Sequence, residues 1–355
     1  MQDRAKNLPE GGGKPVKKRS RTLLRVRHLV EYWLLTTLAW VIPRLSRGVV
    51  LAVSRSIGNL AMRGDRRGRK LGLKNLRLAV ERGGLDLGGR TAEEVLRACY
   101  QNFARGFLDL FWFSRLTAET LGDWVEIENE HHIRKLLRDD RGAIFLTPHF
   151  GNFEWSSLIV GFRGLKLDIV AQDFKNTRLT EVFRRAREHS GHRVLSRDGA
   201  MLKLLRAVKQ GRNIAMLPDL NIPPQGLASV LQVFGSPAYM TSIHAEISSR
   251  CGVPMFVAVC EPLPDGRARL RVLDVISAEP SADTESRART AQRVWDRFEA
   301  AIRERPELWL WMYRHWRYRV TEDLARADGT AASPASDTRP TRIAASSTEA
   351  VRRAA

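Results

Sequence analysis

Cysteine is scarce in these 355 residues: Cys99, Cys251 and Cys260 form no CxxC, no close pair and no Cys/His cluster. That excludes a disulfide-stapled scaffold and the common structural zinc layouts, and predicts neither a metal site nor a bound cofactor. Acidic residues are in deficit, with 39 Asp+Glu against 59 Lys+Arg, a formal charge of +20. A polyanionic partner follows: nucleic acid, an anionic membrane surface or a phosphorylated substrate. No apolar run reaches the roughly 20 residues of an unaided spanning helix. No G-x-S-x-G occurs, so a hydrolase nucleophile elbow is unsupported. What is present is a 43% hydrophobic content, ample for a core.

The charge is placed informatively. Residues 14–27 carry seven basic residues and no acid, and lead into the aromatic, apolar run 29–42, which stops at Pro43. A second apolar run covers 48–62, and a second basic cluster follows with Arg63, Arg66, Arg67, Arg69, Lys70, Lys74 and Arg77. Basic clusters flanking short apolar segments predict a pair of interfacial or membrane-embedded helices on an anionic membrane surface. The alternative is amphipathic helices packed on the rest of the fold. The small-residue cleavage pattern of a signal peptide is missing. No recognisable nucleic-acid-binding module accompanies the charge, so nucleic acid is not expected as a partner.

Thr91 and Glu94 form a capping box at the start of a helix over 91–114. Apolar runs at 124–129, 142–147, 167–172, 213–218, 254–259 and 268–276 read as strands. Helical patterns at 152–163, 176–190, 199–210, 241–250 and 282–304 alternate with them. Such alternation predicts an α/β fold, a mixed sheet flanked by helices with some parallel pairing. The tail 321–355, poor in large apolar residues, reads as disordered.

The informative segment is TPHFGNFEW, residues 147–155. A buried strand ends at Thr147-Pro148 and a helix begins near Glu154; such strand ends are where α/β sheets place their sites. His149 suits proton transfer near neutral pH. Glu154 can turn back across the glycine turn to hold the other ring nitrogen, as the acid of a triad does. No enzymic nucleophile accompanies this base, so it must activate bound water or a substrate hydroxyl. Asp219, after another strand, can hold an arginine or cap a turn. Arg187, Arg314 and Arg319 can bind phosphates or form a solvated face. Trp309, Trp311 and Trp316 suit either a membrane interface or an aromatic core. Asn102 can face the site or be an ordinary amide.

TPHFGNFEW resembles the H-x-x-x-x-(D/E) motif of glycerolipid-type acyltransferases, in the H-x-G-N-x-E form of the late acyltransferases of lipid A biosynthesis. Residues 176–191, 211–221, 233–256 and 305–319 resemble further blocks of that family in the same order. Departures fall at Leu220, Val233-Phe234 and Tyr313-Arg314-His315. The resemblance implies a glycerolipid acyltransferase-like fold with N-terminal membrane-associated helices: a basic, disordered N-terminus over 1–24, membrane-associated helices over 25–62, the acyltransferase domain over 63–320 and the disordered tail over 321–355. It implies His149 and Glu154 as catalytic, and Asn152, Arg187, Asp219 and Arg314 as substrate-binding. It implies acyl carrier protein or CoA thioester as donor and a glycolipid acceptor, at the cytoplasmic face of the bacterial inner membrane. Acylation of a phosphatidylinositol mannoside or lysophospholipid, and hydrolysis by the same dyad, are the competing expectations.

Overall fold

The computed structural model describes residues 21–138, 141–279, 283–318 and 320. The regions 1–20 and 321–355, read as unstructured from sequence, lie outside the described residues; 21–24, grouped with that N-terminus, instead open the first helix. Four helices come first: α1 Arg21–Val41, α2 Arg47–Gly64, α3 Arg66–Gly83 and α4 Ala92–Trp112. The two apolar runs become α1 and α2, divided at the 3-10 turn holding Pro43. Among the described residues no helix is long and apolar enough to cross a membrane. Asp65 separates α2 from α3 and accepts from the Gly68 N–H, capping α3. The capping box at Thr91 forms as expected.

The remaining chain alternates: β1 Val125–Glu128, α5 Glu130–Leu136, β2 Ile144–Leu146, α6 Phe153–Phe162, β3 Leu167–Ala171, α7 Thr177–Glu188, β4 Arg193–Ser196, α8 Ala200–Lys209 and β5 Asn213–Met216. Then come the hairpin β6 Ala228–Val233 and β7 Ser236–Thr241, α9 Ile243–Cys251, β8 Met255–Pro262, β9 Ala268–Ile276 and α10 Thr284–Glu304. Among the described residues the main sheet has the order β1-β9-β8-β2-β5-β3-β4. Only the β8–β9 pairing is antiparallel, so the sheet is mixed, as the alternation predicted.

Its central strands are apolar on both faces because helices cover both. Ile144 and Leu146 of β2 join one core with Met255, Val257 and Val259 of β8. The alternate residues Phe145, Phe256, Ala258 and Cys260 join the core on the other face. This double burial places the β2 C-terminal end inside the protein, where the motif begins.

Candidate active site

β2 and β5 are adjacent and parallel, with Leu146 opposite Met216. Three residues past each lie His149 and Asp219, each preceded by a proline. Equal offsets from a shared register put both side chains at the same sheet edge. Nδ1 of His149 meets Oδ1 of Asp219 at 2.7 Å. The His149 backbone N–H donates to Asp219 Oδ2 at 2.9 Å, and the Trp309 indole N–H to the same oxygen at 3.0 Å.

Asp219 is fully buried, which disfavours its charge, yet His149 and these donors outweigh burial and hold it below the usual carboxylate range. Burial likewise works against the imidazolium, but the Asp219 charge and hydrogen bond, with Glu154 nearby, raise His149 above its ordinary value. The His149 side chain is 20% exposed, and its Nε2 has no hydrogen bond among the described residues. One ring nitrogen is therefore fixed and the other is open.

The turn that presents His149 is held tightly. Gly151 has φ +55°, and a Cβ there would stand 2.2 Å from the Cys260 carbonyl oxygen. Only glycine meets both demands. The C-terminal segment pairs with this turn: Gly151 N–H donates to Leu308 O at 2.8 Å and Leu310 N–H to His149 O at 3.1 Å.

Glu154 does not hold the imidazole, contrary to the expectation from spacing. In the first turn of α6, it receives Arg187 of α7 in a bidentate pair, Nη2 to Oε1 at 2.6 Å and Nε to Oε2 at 3.0 Å. The competing partner, Asp219, reaches His149 from the neighbouring strand, whereas Glu154 projects from the next helix. Asp219 thus holds the His149 ring and backbone N–H, in place of the arginine or turn expected of it.

Asn152 also departs from expectation. It is 1% exposed, and its amide donates to Asp109 Oδ2 at 2.7 Å. Asp109, fully buried, also pairs with Arg47 and Arg105, and both arginines donate to the Gly266 carbonyl. This node ties α2, α4 and α6 to the β8–β9 turn, and the Asn152 amide N–H is spent on it.

Arg314 is exposed, with no ion pair to the cluster among the described residues, and Arg319 lies outside them. Trp309 and Trp311 are fully buried, which selects the aromatic-core reading. The Asn102 amide donates to the Glu307 carbonyl at 3.2 Å, joining α4 to the C-terminal segment.

Sequence reading missed the Asp219 partner and an apolar cavity of about 560 Å³ between α1, α2 and α4. Val53, Ile57, Phe103 and Phe107 line it, and Leu310 and Met312 carry it to the segment clamped on the His149 turn. The available signal for Asp219 was the repeated strand–Pro–titratable pattern at LTPH and MLPD.

Two comparisons bear on this arrangement. The family described as bacterial lipid A biosynthesis acyltransferase matches residues 17–318. The chain is 23% identical over 310 residues to the lipid A biosynthesis lauroyltransferase of Escherichia coli, covering 85% of this chain and 96% of that protein. It is 24% identical over 244 residues to the phosphatidylinositol mannoside acyltransferase of Mycolicibacterium smegmatis, covering 67% and 77%. A match over most of the length, on a sheet whose central edge presents an oriented histidine, leads to one conclusion: the chain belongs to the bacterial lipid A biosynthesis acyltransferase family and is an acyltransferase.

Proposed function

We propose that this protein moves a fatty acyl group from an acyl-carrier-protein or CoA thioester to a hydroxyl of a membrane glycolipid, a lipid A precursor, with His149 as general base. The observation that carries this reading is the His149 ring, held at Nδ1 by Asp219 and open at Nε2. Burial raises the Cys99 thiol to about 12 and pushes the Cys260 thiol up as well, so neither supplies a thiolate.

With Nδ1–H donated to Asp219, Nε2 of neutral His149 takes the acceptor hydroxyl proton as oxygen attacks the thioester carbonyl. Collapse of the intermediate breaks the carbon–sulfur bond, and His149 returns the proton to the departing thiolate. General-base help of this kind is worth about 10²–10⁴-fold. The Gly151 and Asn152 N–H groups already serve Leu308 and Cys260, so backbone stabilisation of the oxyanion falls to the first N–H groups of α6. Glu154 acts through Arg187, whose Nη1 has no hydrogen bond among the described residues and is offered to substrate phosphate. The cavity, of a size common for ligand pockets (about 300–1,000 Å³), takes the acyl chain.

Exposed apolar side chains on α1 and α2, among them Trp33 and Leu60 at 64% and 71%, support placement at a membrane surface, assigned here to the cytoplasmic face of a bacterial inner membrane. The mannoside-acylating relative supports a second reading, with a phosphatidylinositol mannoside as acceptor. Mass spectrometry of lipids from cells with and without the gene separates the two. The expected result is a lipid A precursor lighter by one acyl group without the gene. A change confined to phosphatidylinositol mannosides selects the second reading, and no lipid change contradicts both.

A further inference from the structure

Buried indoles in this chain satisfy their N–H on varied partners. Trp311 uses the Pro306 carbonyl at 2.6 Å, and Trp155 the Asp109 carbonyl at 2.9 Å. Trp295 donates to the Glu299 carboxylate at 2.8 Å, and Trp309 to that of Asp219, on the oxygen that does not meet the imidazole nitrogen. The carboxylate is thereby pinned at three points: Oδ1 by the imidazole, Oδ2 by the His149 backbone and the indole.

The indole is itself held firmly. Its backbone bridges to Phe150, and the flanking Leu308 and Leu310 bond to Gly151 and His149. Its ring stacks on His315 at 3.9 Å and packs against Phe234, Trp295 and Trp311. A residue 90 positions from Asp219 in sequence thus fixes where that carboxylate points.

We propose that Trp309 is a positioning residue of the acyl transfer: its indole N–H fixes Asp219, and through it the tautomer and basicity of His149. The inference rests on His149 as general base. A donor on Oδ2 draws charge from the carboxylate, so Asp219 orients the imidazole without stabilising the imidazolium so strongly that the base stays protonated. Without that donor the carboxylate holds the imidazolium more tightly and loses one anchor of its orientation. The other groups facing the dyad are Glu154, paired to Arg187, His315, which burial lowers to about 4 and keeps neutral, and Tyr313, whose phenol burial and the Asp219 charge push upward so that it too stays neutral.

The test measures kcat/KM and kcat against pH for the full chain, with an acyl thioester and acceptor lipid in detergent micelles. Trp309→Phe keeps an aromatic ring and removes the N–H. Site-specific benzothienylalanine at 309 keeps the bicyclic shape and replaces N–H by sulfur, and it decides the matter if the Phe variant fails to fold. Both should move the acidic limb of kcat/KM upward by roughly half to one pH unit and lower kcat several-fold, with KM nearly unchanged. An unmoved limb in the folded isostere overturns the proposal. Asp219→Asn is the control and should move the limb downward. If it moves the limb and the 309 variants do not, the positioning role fails alone. If Asp219→Asn also leaves the limb in place, the assignment of the base fails.

Discussion

At the scale of residues, the site is organised by which carboxylate reaches which partner. Asp219 stands 2.7 Å from Nδ1 of His149, while Glu154 is spent on Arg187. The two acids should therefore fail differently. Asp219→Asn removes the acceptor that fixes the tautomer, and kcat should fall by about 10²–10⁴-fold. Glu154→Gln leaves the base oriented but frees Arg187, so its main effect should be a raised KM for the phosphate-bearing acceptor. Equal losses of kcat in both variants would return Glu154 to the base. The signs with pH are opposed. Since His149 is raised when folded, its protonated pair adds stability below the unfolded value, lost as pH climbs through the folded one. Activity needs the neutral ring and should rise over that same interval, above the ordinary 6.5.

At the scale of elements, α3 carries the clearest surface signal. Arg67, Lys70, Lys74 and Arg77 recur every three or four residues on its exposed side, with Arg63 one turn earlier on α2. Among the described residues none has an ion pair, whereas Arg184 and Arg185 of α7 and Arg289, Arg293 and Arg303 of α10 are paired. At about 1 kcal/mol per cation near an anionic leaflet, reversing three of them should weaken vesicle binding at least tenfold. Co-sedimentation with anionic and neutral vesicles measures it; equal binding of the unaltered chain and the reversed variant to both vesicles would assign the stripe to solvent.

The elements were legible where burial dictated composition. The doubly buried strands β2, β5 and β8 are apolar runs, and the capping box marked α4 in sequence. The hairpin β6–β7 was not legible as strands. Its turn places Phe234 at φ +47° and Gly235 at φ +66°, a conformation usually signalled by Asn-Gly. Phe234 is held there by burial among Trp295, Trp309 and Trp311, a tertiary cause invisible to local pattern. The Asp219 partnership escaped for a related reason: the sequence shows His149 and Glu154 as neighbours, and only strand order makes Asp219 nearer.

At the scale of the molecule, the +20 charge and the buried site divide the chain's work. The exposed cations of α3 lie on the helices that precede the sheet, which also carry exposed apolar side chains and the cavity between α1, α2 and α4. The sheet then delivers His149 and Asp219 to one edge, and the segment after α10 closes over them through Trp309. Family membership and the mixed α/β architecture could be read from ordered motifs and alternation. The pairing of His149 with Asp219 required the fold.

The central claim is direct transfer by His149 without an acyl-enzyme. The most direct test is a rapid-quench single turnover of the full chain with labelled thioester and acceptor lipid. Intact-protein mass, free thiol and acylated lipid are read from each quenched sample. The account predicts one acylated lipid for each thiol released, no mass added to the protein at any time, and neither product in His149→Ala. A protein-bound acyl group that forms and decays at the rate of turnover, or undiminished transfer by His149→Ala, would contradict it.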